Sequence, residues 1–480
     1  MLDLWTVTLG VLAVAVPVSA SIHIVLTKRN SSSAVAWVGL VWLAPALGVI
    51  SYLMFGINRV QRRAQAIQSH EFRDRLVESQ VDPLPAAALE GLLAPENAHL
   101  ASIARLAGRV SGRPLLSGNQ ATLLVDGDEA YPAMLEAIEG ARESVALCTY
   151  IFDHDQVGLR FQDALARAVE RGVQVRVLID AVGARYSRPP VVRELRQVGV
   201  PVARFHPEVL TWKMPYFNLR NHRKILVVDG SVGFTGGMNI RLGHMVKAGP
   251  PHPIRDLQVR MEGPVVAEFQ EVFVEDWFAT TGERLQGPAW FPALEEVGGV
   301  VARGIFDGPD LNFEKLQTVL LGALATAERS VRILTPYFIP DERLIDALGV
   351  AAMRGVEVEV YLPEKGNLTL VQWASQAYWP LVMEKDVRIF LTPPPFDHSK
   401  VMTVDGGWGL VGTANWDPRS LQLNFEFNVE SYDLEFVEGL ESYVDRRREE
   451  ARETSVVEMT ERPFFHRLRD GTLRLFSPML

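Results

Sequence analysis

Two stretches of this 480-residue chain repeat one spacing. Residues 221–230 read NHRKILVVDG, with His222, Lys224 and Asp229; residues 397–406 read DHSKVMTVDG, with His398, Lys400 and Asp405. Each copy runs on into a Gly-containing turn that ends in Asn, at Asn239 (GGMN) and Asn415 (GTAN). The shared pattern is His-x-Lys-x4-Asp-x6-Gly-x-x-Asn. One copy of His-x-Lys is ordinary surface sequence, whereas two complete copies call for chemistry that uses two His and two Lys. A phosphodiester fits that set. Lysines neutralise phosphate oxygens, Asn side chains donate hydrogen bonds, and one imidazole attacks phosphorus. The second protonates the leaving alkoxide and later deprotonates the incoming hydroxyl. Neither copy holds the full set, so the two must meet at a shared interface near a pseudo-twofold axis.

The apolar runs after each Lys read as strands, where residues two apart face the same way. His222 and Lys224 therefore share a face, as do His398 and Lys400. Asp229 and Asp405, though members of the candidate catalytic triplets, fall on the other parity at a strand end, which assigns them to the turn and backbone. A nucleophilic imidazole needs an acceptor on its other nitrogen. The repeat offers Asp256 and Glu426 at equivalent positions, with pairing within or across halves left open. Tyr150 with Asp153, and Tyr337 with Asp341, stand at strand ends, where substrate contact competes with core packing and helix capping. The remaining histidines show no metal-ligand spacing. Trp212, Tyr216, Phe217, Trp373, Tyr378 and Trp379 divide between lipid-interface and core readings.

These residues sit in a repeated framework. ARESVALCTYIF (141–152) matches AERSVRILTPYF (327–338), and each is flanked by amphipathic helices and further Val/Ile/Leu-rich strands. That alternation predicts βαβ units and a largely parallel sheet, duplicated once. The expected division is 1–57 as two transmembrane helices, 58–118 as a linker that lies along a membrane surface, 119–290 as the first half and 291–480 as the second half with a helical tail. From Leu4 to Leu26 only His23 can carry charge, and 34–57 has no charged residue. Each run is long enough to cross a bilayer core of about 30 Å. A helix is also expected over 61–79. The basic residues after the second run (Arg59, Arg62, Arg63, Arg73, Arg75) place the catalytic part in the cytoplasm. The net charge of −10 argues against nucleic acid as partner. The single cysteine, Cys148, excludes an intrachain disulfide and a thiolate zinc site.

The doubled motif resembles the phospholipase D superfamily. Over nearly the whole chain, the two apolar runs, YPAMLEAIEGARESVALCTYIFDHDQVG, RNHRKILVVDG, GTANWDPRSLQLNFE and RPFFHRLRDGTLRLFSPML are similar to bacterial cardiolipin synthases. The resemblance implies a duplicated α/β sandwich whose halves share one active site, in a multi-pass protein of the bacterial inner membrane. It further implies His222 as nucleophile, His398 as acid–base, and no metal or cofactor. The reaction implied joins two phosphatidylglycerol molecules into cardiolipin, releasing glycerol through a phosphatidyl-histidine. The competing readings are a hydrolytic phospholipase D giving phosphatidic acid, a nuclease of the superfamily, and a silent membrane scaffold. The sequence leaves phosphatidylethanolamine open as an alternative donor and carries no signal of oligomeric state. Two departures stand out: Thr413 where Ser is common, and Asp397 beside His398.

Overall fold

The computed structural model describes residues 4–28, 31–53, 84–205, 219–309 and 314–477. The helix expected over 61–79 and the aromatics Trp212, Tyr216 and Phe217 lie outside these residues.

The strands form one continuous path built from two runs of the same order. From the junction outward the first half runs Leu116–Val125, Leu257–Glu262, Val232–Gly236, Ile225–Val228, Ser144–Thr149, Gln174–Asp180 and Val202–Phe205. The second runs Val300–Asp307, Asn424–Ser431, Trp408–Gly412, Val401–Val404, Ser330–Leu334, Glu357–Pro363 and Arg388–Thr392, with Arg452–Thr454 added at its edge. The two innermost strands pair antiparallel and fuse the halves. Along this path only Ser144–Thr149, Gln174–Asp180 and Val202–Phe205 in the first half, and Ser330–Leu334, Glu357–Pro363 and Arg388–Thr392 in the second, run mutually parallel; the other neighbours pair antiparallel. The sheet is therefore mixed rather than largely parallel. The cause is local. Val-Asp-Gly after each motif turns the chain back within two residues, with Asp229 and Gly230 at φ 50° and 62° and Asp405 and Gly406 at 53° and 64°. Two successive left-handed residues match the twist of a tight hairpin, which Asp-Gly favours.

The seam between the halves is apolar. The Phe269 and Phe427 rings meet edge-on at 4.7 Å, and Phe306 lies 5.4 Å from Phe427. Residues from both halves share this core. Burying aromatic pairs of this size is worth about 0.5–1.5 kcal/mol per pair beyond area alone.

The described part of the expected linker is structured. Pro95–Leu100 and Ala101–Ser111 are helical, and Leu100, Ile103 and Ala107 are buried in the core of the second half with Leu316, Val319 and Leu320. Arg303 ties this helix down by donating to the Ala104 carbonyl while paired with Glu430. The buried positions Ile103, Ala104, Ala107 and Ser111 recur at helical spacing, an amphipathic pattern that the linker reading passed over.

At the N-terminus, Leu4–Thr27 is one helix, and among the described residues it alone is long and apolar enough to cross a membrane. The second apolar run is broken. Ser31–Leu43 is a helix of 13 residues, and a separate one covers Pro45–Ser51. Ala44 sits at φ −139° and ψ 74° because the proline ring disfavours helical backbone in the residue before it. The pieces pack on the first helix through Trp42 to Ser21 (3.0 Å) and His23 to Tyr52 (2.7 Å).

Candidate active site

The two His-x-Lys segments are extended steps between a short bridging strand and the hairpin. Arg220–Asn221 pairs in parallel with Asn424–Phe425 of the other half, and Phe396–Asp397 pairs with Ile254–Arg255. The His222 amide donates to the Phe425 carbonyl at 3.0 Å, and the His398 amide to the Arg255 carbonyl at 2.8 Å. Each motif is thus threaded onto the strand that carries the other half's carboxylate.

The side chains complete that exchange. His222 Nδ1 lies 3.0 Å from both oxygens of Glu426, and His398 Nδ1 lies 2.9 Å from Asp256 Oδ2. The pairing runs across the halves in both cases. With Nδ1–H donated to a carboxylate, Nε2 carries the lone pair of each neutral ring. Lys224 and Lys400 turn their ammonium groups to the carbonyls of His222 and His398 respectively. All four are buried or nearly so.

The carboxylates are not equivalent. Glu426 also accepts from Thr413 Oγ1 at 2.5 Å and Asn424 Nδ2 at 3.0 Å. In the first half Gly237 takes the place of Thr413, and a Cβ there would come within 2.1 Å of Asp256 Oδ1. The shorter acid needs the closer approach, and glycine permits it. Burial would raise the Glu426 carboxyl, but His222, Lys224 and the Thr413 hydroxyl outweigh it and hold the acid below its ordinary value. Burial does raise Asp256, against the pull of Lys400.

Burial pushes His222 below its ordinary value against the pull of Glu426, and pushes His398 well below, helped by Lys400, Lys224 and His222. It also lowers Lys224 to about 7 and Lys400 to about 8, partly restrained by the site's own carboxylates. The charges of one motif therefore act on the groups of the other, as they must in one shared site. An anion between the lysines would relieve the desolvation of both and favour their charged forms.

Asp229 and Asp405 are anchors. Asp229 accepts from the amides of Arg142, Glu143 and Ser144 at 2.8–3.1 Å. Asp405 accepts from Glu328, Arg329 and Ser330 at 2.8–2.9 Å and from His99 Nε2 at 2.7 Å. The segments they bind are the repeated ARES and AERS stretches. Asn239 Oδ1 accepts from the Ile151 amide at 3.0 Å, and Asn415 Nδ2 donates to Ser420 Oγ at 3.2 Å. The asparagines thus brace the loops next to the histidines.

Tyr150 meets His222 edge-on at 5.2 Å and Tyr337 meets His398 at 6.4 Å, so both tyrosines wall the site. Their acidic neighbours do not join them: Asp341 caps the helix Glu342–Met353, and Asp153 pairs with Arg241 at 2.8 Å. Asp397 pairs with Arg447 at 2.6 Å. Spacing gave no hint of His244, whose ring lies 6.4 Å from that of His398. Burial lowers it to about 3, so it remains a neutral imidazole beside the motif. Trp379 is core, and Trp373 lies under Arg469 at 3.9 Å.

The family model described as "Cardiolipin synthase, PLD-like domain" matches residues 134–277 and 320–448, and one described as "Phospholipase_D-nuclease N-terminal" matches 15–56. A cardiolipin synthase of Geobacillus kaustophilus is 34% identical over 460 residues, covering 95% of this chain and 90% of the relative. Cardiolipin synthase A of Pseudomonas putida is 35% identical over 465 residues, covering 96% and 95%. The crystal structure of a phosphatidylserine synthase from Haemophilus influenzae superposes with a TM-score of 0.61 at 16% identity, covering 79% of this chain and all of that one, a likeness of fold. Two halves of one topology, each giving a His–Lys pair to a common seam, make this a phospholipase D-like protein. Within that class, the chain belongs to the cardiolipin synthase family.

Proposed function

We propose that this protein is a membrane-bound phosphatidyltransferase that joins two phosphatidylglycerol molecules into cardiolipin. His222 Nε2 attacks the phosphorus of the first lipid, the P–O bond to its headgroup glycerol breaks, and His398 gives that glycerol oxygen a proton. The enzyme is left with a phosphatidyl-His222 and a neutral His398. The terminal hydroxyl of a second phosphatidylglycerol then enters, loses its proton to His398 and attacks phosphorus, freeing His222 and forming cardiolipin. Lys224 and Lys400 balance the phosphate oxygens throughout. The lowered basicity of His222 keeps it in the nucleophilic neutral form. Glu426, held ionised, offsets the positive charge the ring gains on phosphorylation. His398 must be protonated to act as acid. The bound phosphate supplies the negative charge that counters the two lysines opposing this.

The observation that carries the reading is the reciprocal hold on the two histidines, each by a carboxylate of the other half. Membrane association is supported by the apolar N-terminal helix together with the family. Its finer form is two passes through the bacterial inner membrane, with the two catalytic halves, 119–290 and 291–480, in the cytoplasm. The basic residues after the second apolar run support it. The test supplies purified protein with phosphatidylglycerol labelled in its headgroup and acyl chains. Cardiolipin and free glycerol in equal amounts are expected. Phosphatidic acid as the main product would make the protein a hydrolase, and cardiolipin formed only when phosphatidylethanolamine is added would change the donor.

A further inference from the structure

The C-terminal helix Phe464–Arg474 is inside-out. Its protein-facing side is polar: Asp470 is buried and pairs with Arg462 at 2.9 Å and Arg469 at 2.7 Å. Arg462 also donates to Gln376 at 2.9 Å, and Arg469 covers Trp373 on the helix Thr369–Gln376. The outward side is apolar. Phe464 is 62% exposed, Phe465 77% and Leu475 77%, with Leu468 and Phe476 beside them about half exposed. Residues 464, 468 and 475 follow the helical repeat and lie on one stripe, and 465 and 476 widen it. Leu368 and Leu370, at the start of the helix it packs on, extend the apolar surface. A helix that turns Arg469 and Asp470 to the protein and its aromatics to solvent calls for an apolar partner.

The charge of the segment indicates which partner. Between residues 462 and 474 stand Arg462, Arg467, Arg469 and Arg474 against Asp470 alone, in a chain of net charge −10. Arg467 and Arg474 are exposed and sit together at one edge of the apolar stripe. Aromatics flanked by arginines match the boundary between acyl chains and acidic headgroups. The patch also borders the site. Asn367, next to Leu368, accepts a hydrogen bond at 2.7 Å from the hydroxyl of Tyr337, whose ring packs on His398.

We propose that this helix, with the neighbouring Leu368 and Leu370, is an interfacial membrane-docking surface for acidic phospholipid. It is separate from the N-terminal anchor and seats the mouth of the active site, on its His398 side, against the headgroup layer. A lipid hydroxyl approaching His398 then leaves the bilayer by the shortest path, and water has least access at that rim.

The experiment uses the full chain in vesicles of phosphatidylcholine and phosphatidylglycerol. The one native cysteine, Cys148, is 2% exposed and does not compete for label. Phe465→Cys, and as control the exposed Glu170→Cys, carry an environment-sensitive fluorophore. Some of the phosphatidylcholine bears a shallow nitroxide. Quenching at position 465 is expected to exceed that at 170 by about threefold or more, since an interfacial helix buries its apolar face about 5–10 Å into the boundary. Removing phosphatidylglycerol should reduce the difference. Equal quenching at the two positions would overturn the proposal. So would self-quenching between labelled chains without nitroxide quenching, which would make the patch a contact between copies. The readout needs no turnover, so failure of the synthase reading leaves it interpretable.

Discussion

Replacing Glu426 by Gln should slow the formation of the covalent intermediate while leaving the fold and lipid binding nearly intact. The amide is isosteric, and the surroundings orient it. Asn424 donates to one oxygen and must keep an acceptor there, so the new NH2 group takes the Thr413 side. The Thr413 hydroxyl can rotate to accept, and His222 retains one carbonyl oxygen for Nδ1–H. The loss is therefore charge rather than geometry. Two unit charges about 4 Å apart at an effective dielectric constant of about 20 interact by about 4 kcal/mol. The retained hydrogen bond returns about 1 kcal/mol. The remaining 3 kcal/mol or so corresponds to a fall of about 10²-fold in the rate of phosphorylation of His222. Rapid-quench measurement of adduct formation on phosphatidylglycerol vesicles reads this directly, with KM and thermal stability as controls. A fall of less than about threefold, in a protein of unchanged stability, would mean that the carboxylate does not support charge on His222.

His398→Ala should lower turnover of phosphatidylglycerol by about 10²–10⁴-fold. A p-nitrophenyl phosphodiester, whose leaving group needs no proton, should recover the first step; absence of rescue would count against His398 as the acid. Gly237→Ala forces Asp256 off His398, because the new methyl meets its carboxylate. A misplacement of about 1 Å predicts about 10²-fold lower kcat, and near-normal kinetics would show that the contact is not needed. In the ligand-free protein Lys224 titrates at about 7 and Lys400 at about 8. A bound phosphate anion raises both, so the complex holds more protons than the free site in and above that window. Affinity for dimethyl phosphate, a phosphodiester anion whose charge is constant in this range, should therefore fall as pH rises through it, and calorimetry in buffers of different ionisation enthalpy should show proton uptake; pH-independent affinity would contradict the buried lysine pair.

The motif residues were legible because their spacing occurs twice, and chance rarely repeats it. The parity of Asp229 and Asp405 likewise pointed to the turn, and both accept three backbone amides there. The Asp-Gly hairpin itself was readable at 229–230 and 405–406 and would have corrected the largely parallel sheet. Repeat alignment brought out Asp256 and Glu426, but alignment maps a residue onto its copy and is silent on which copy it touches. The cross-half pairing depends on strand exchange at 220–221 and 396–397, a contact far apart in sequence. The Ala101–Ser111 helix was legible as well, since Ile103, Ala104, Ala107 and Ser111 recur at helical spacing on one buried face; the prolines before it (Pro83, Pro85, Pro95) suggested a linker instead. His244 belongs to no repeat and reaches His398 only through the fold. The break at Ala44 could be anticipated from Pro45; hydropathy alone hides it.

The central claim is that a phosphatidyl group passes through His222. Its most direct test mixes the enzyme with acyl-labelled phosphatidylglycerol, quenches within one turnover, and maps the labelled peptide by mass spectrometry. The account predicts an acid-labile phosphatidyl group on His222 that forms before labelled cardiolipin appears and is absent in His222→Ala. A label found on His398, or an adduct persisting in His222→Ala, would contradict it.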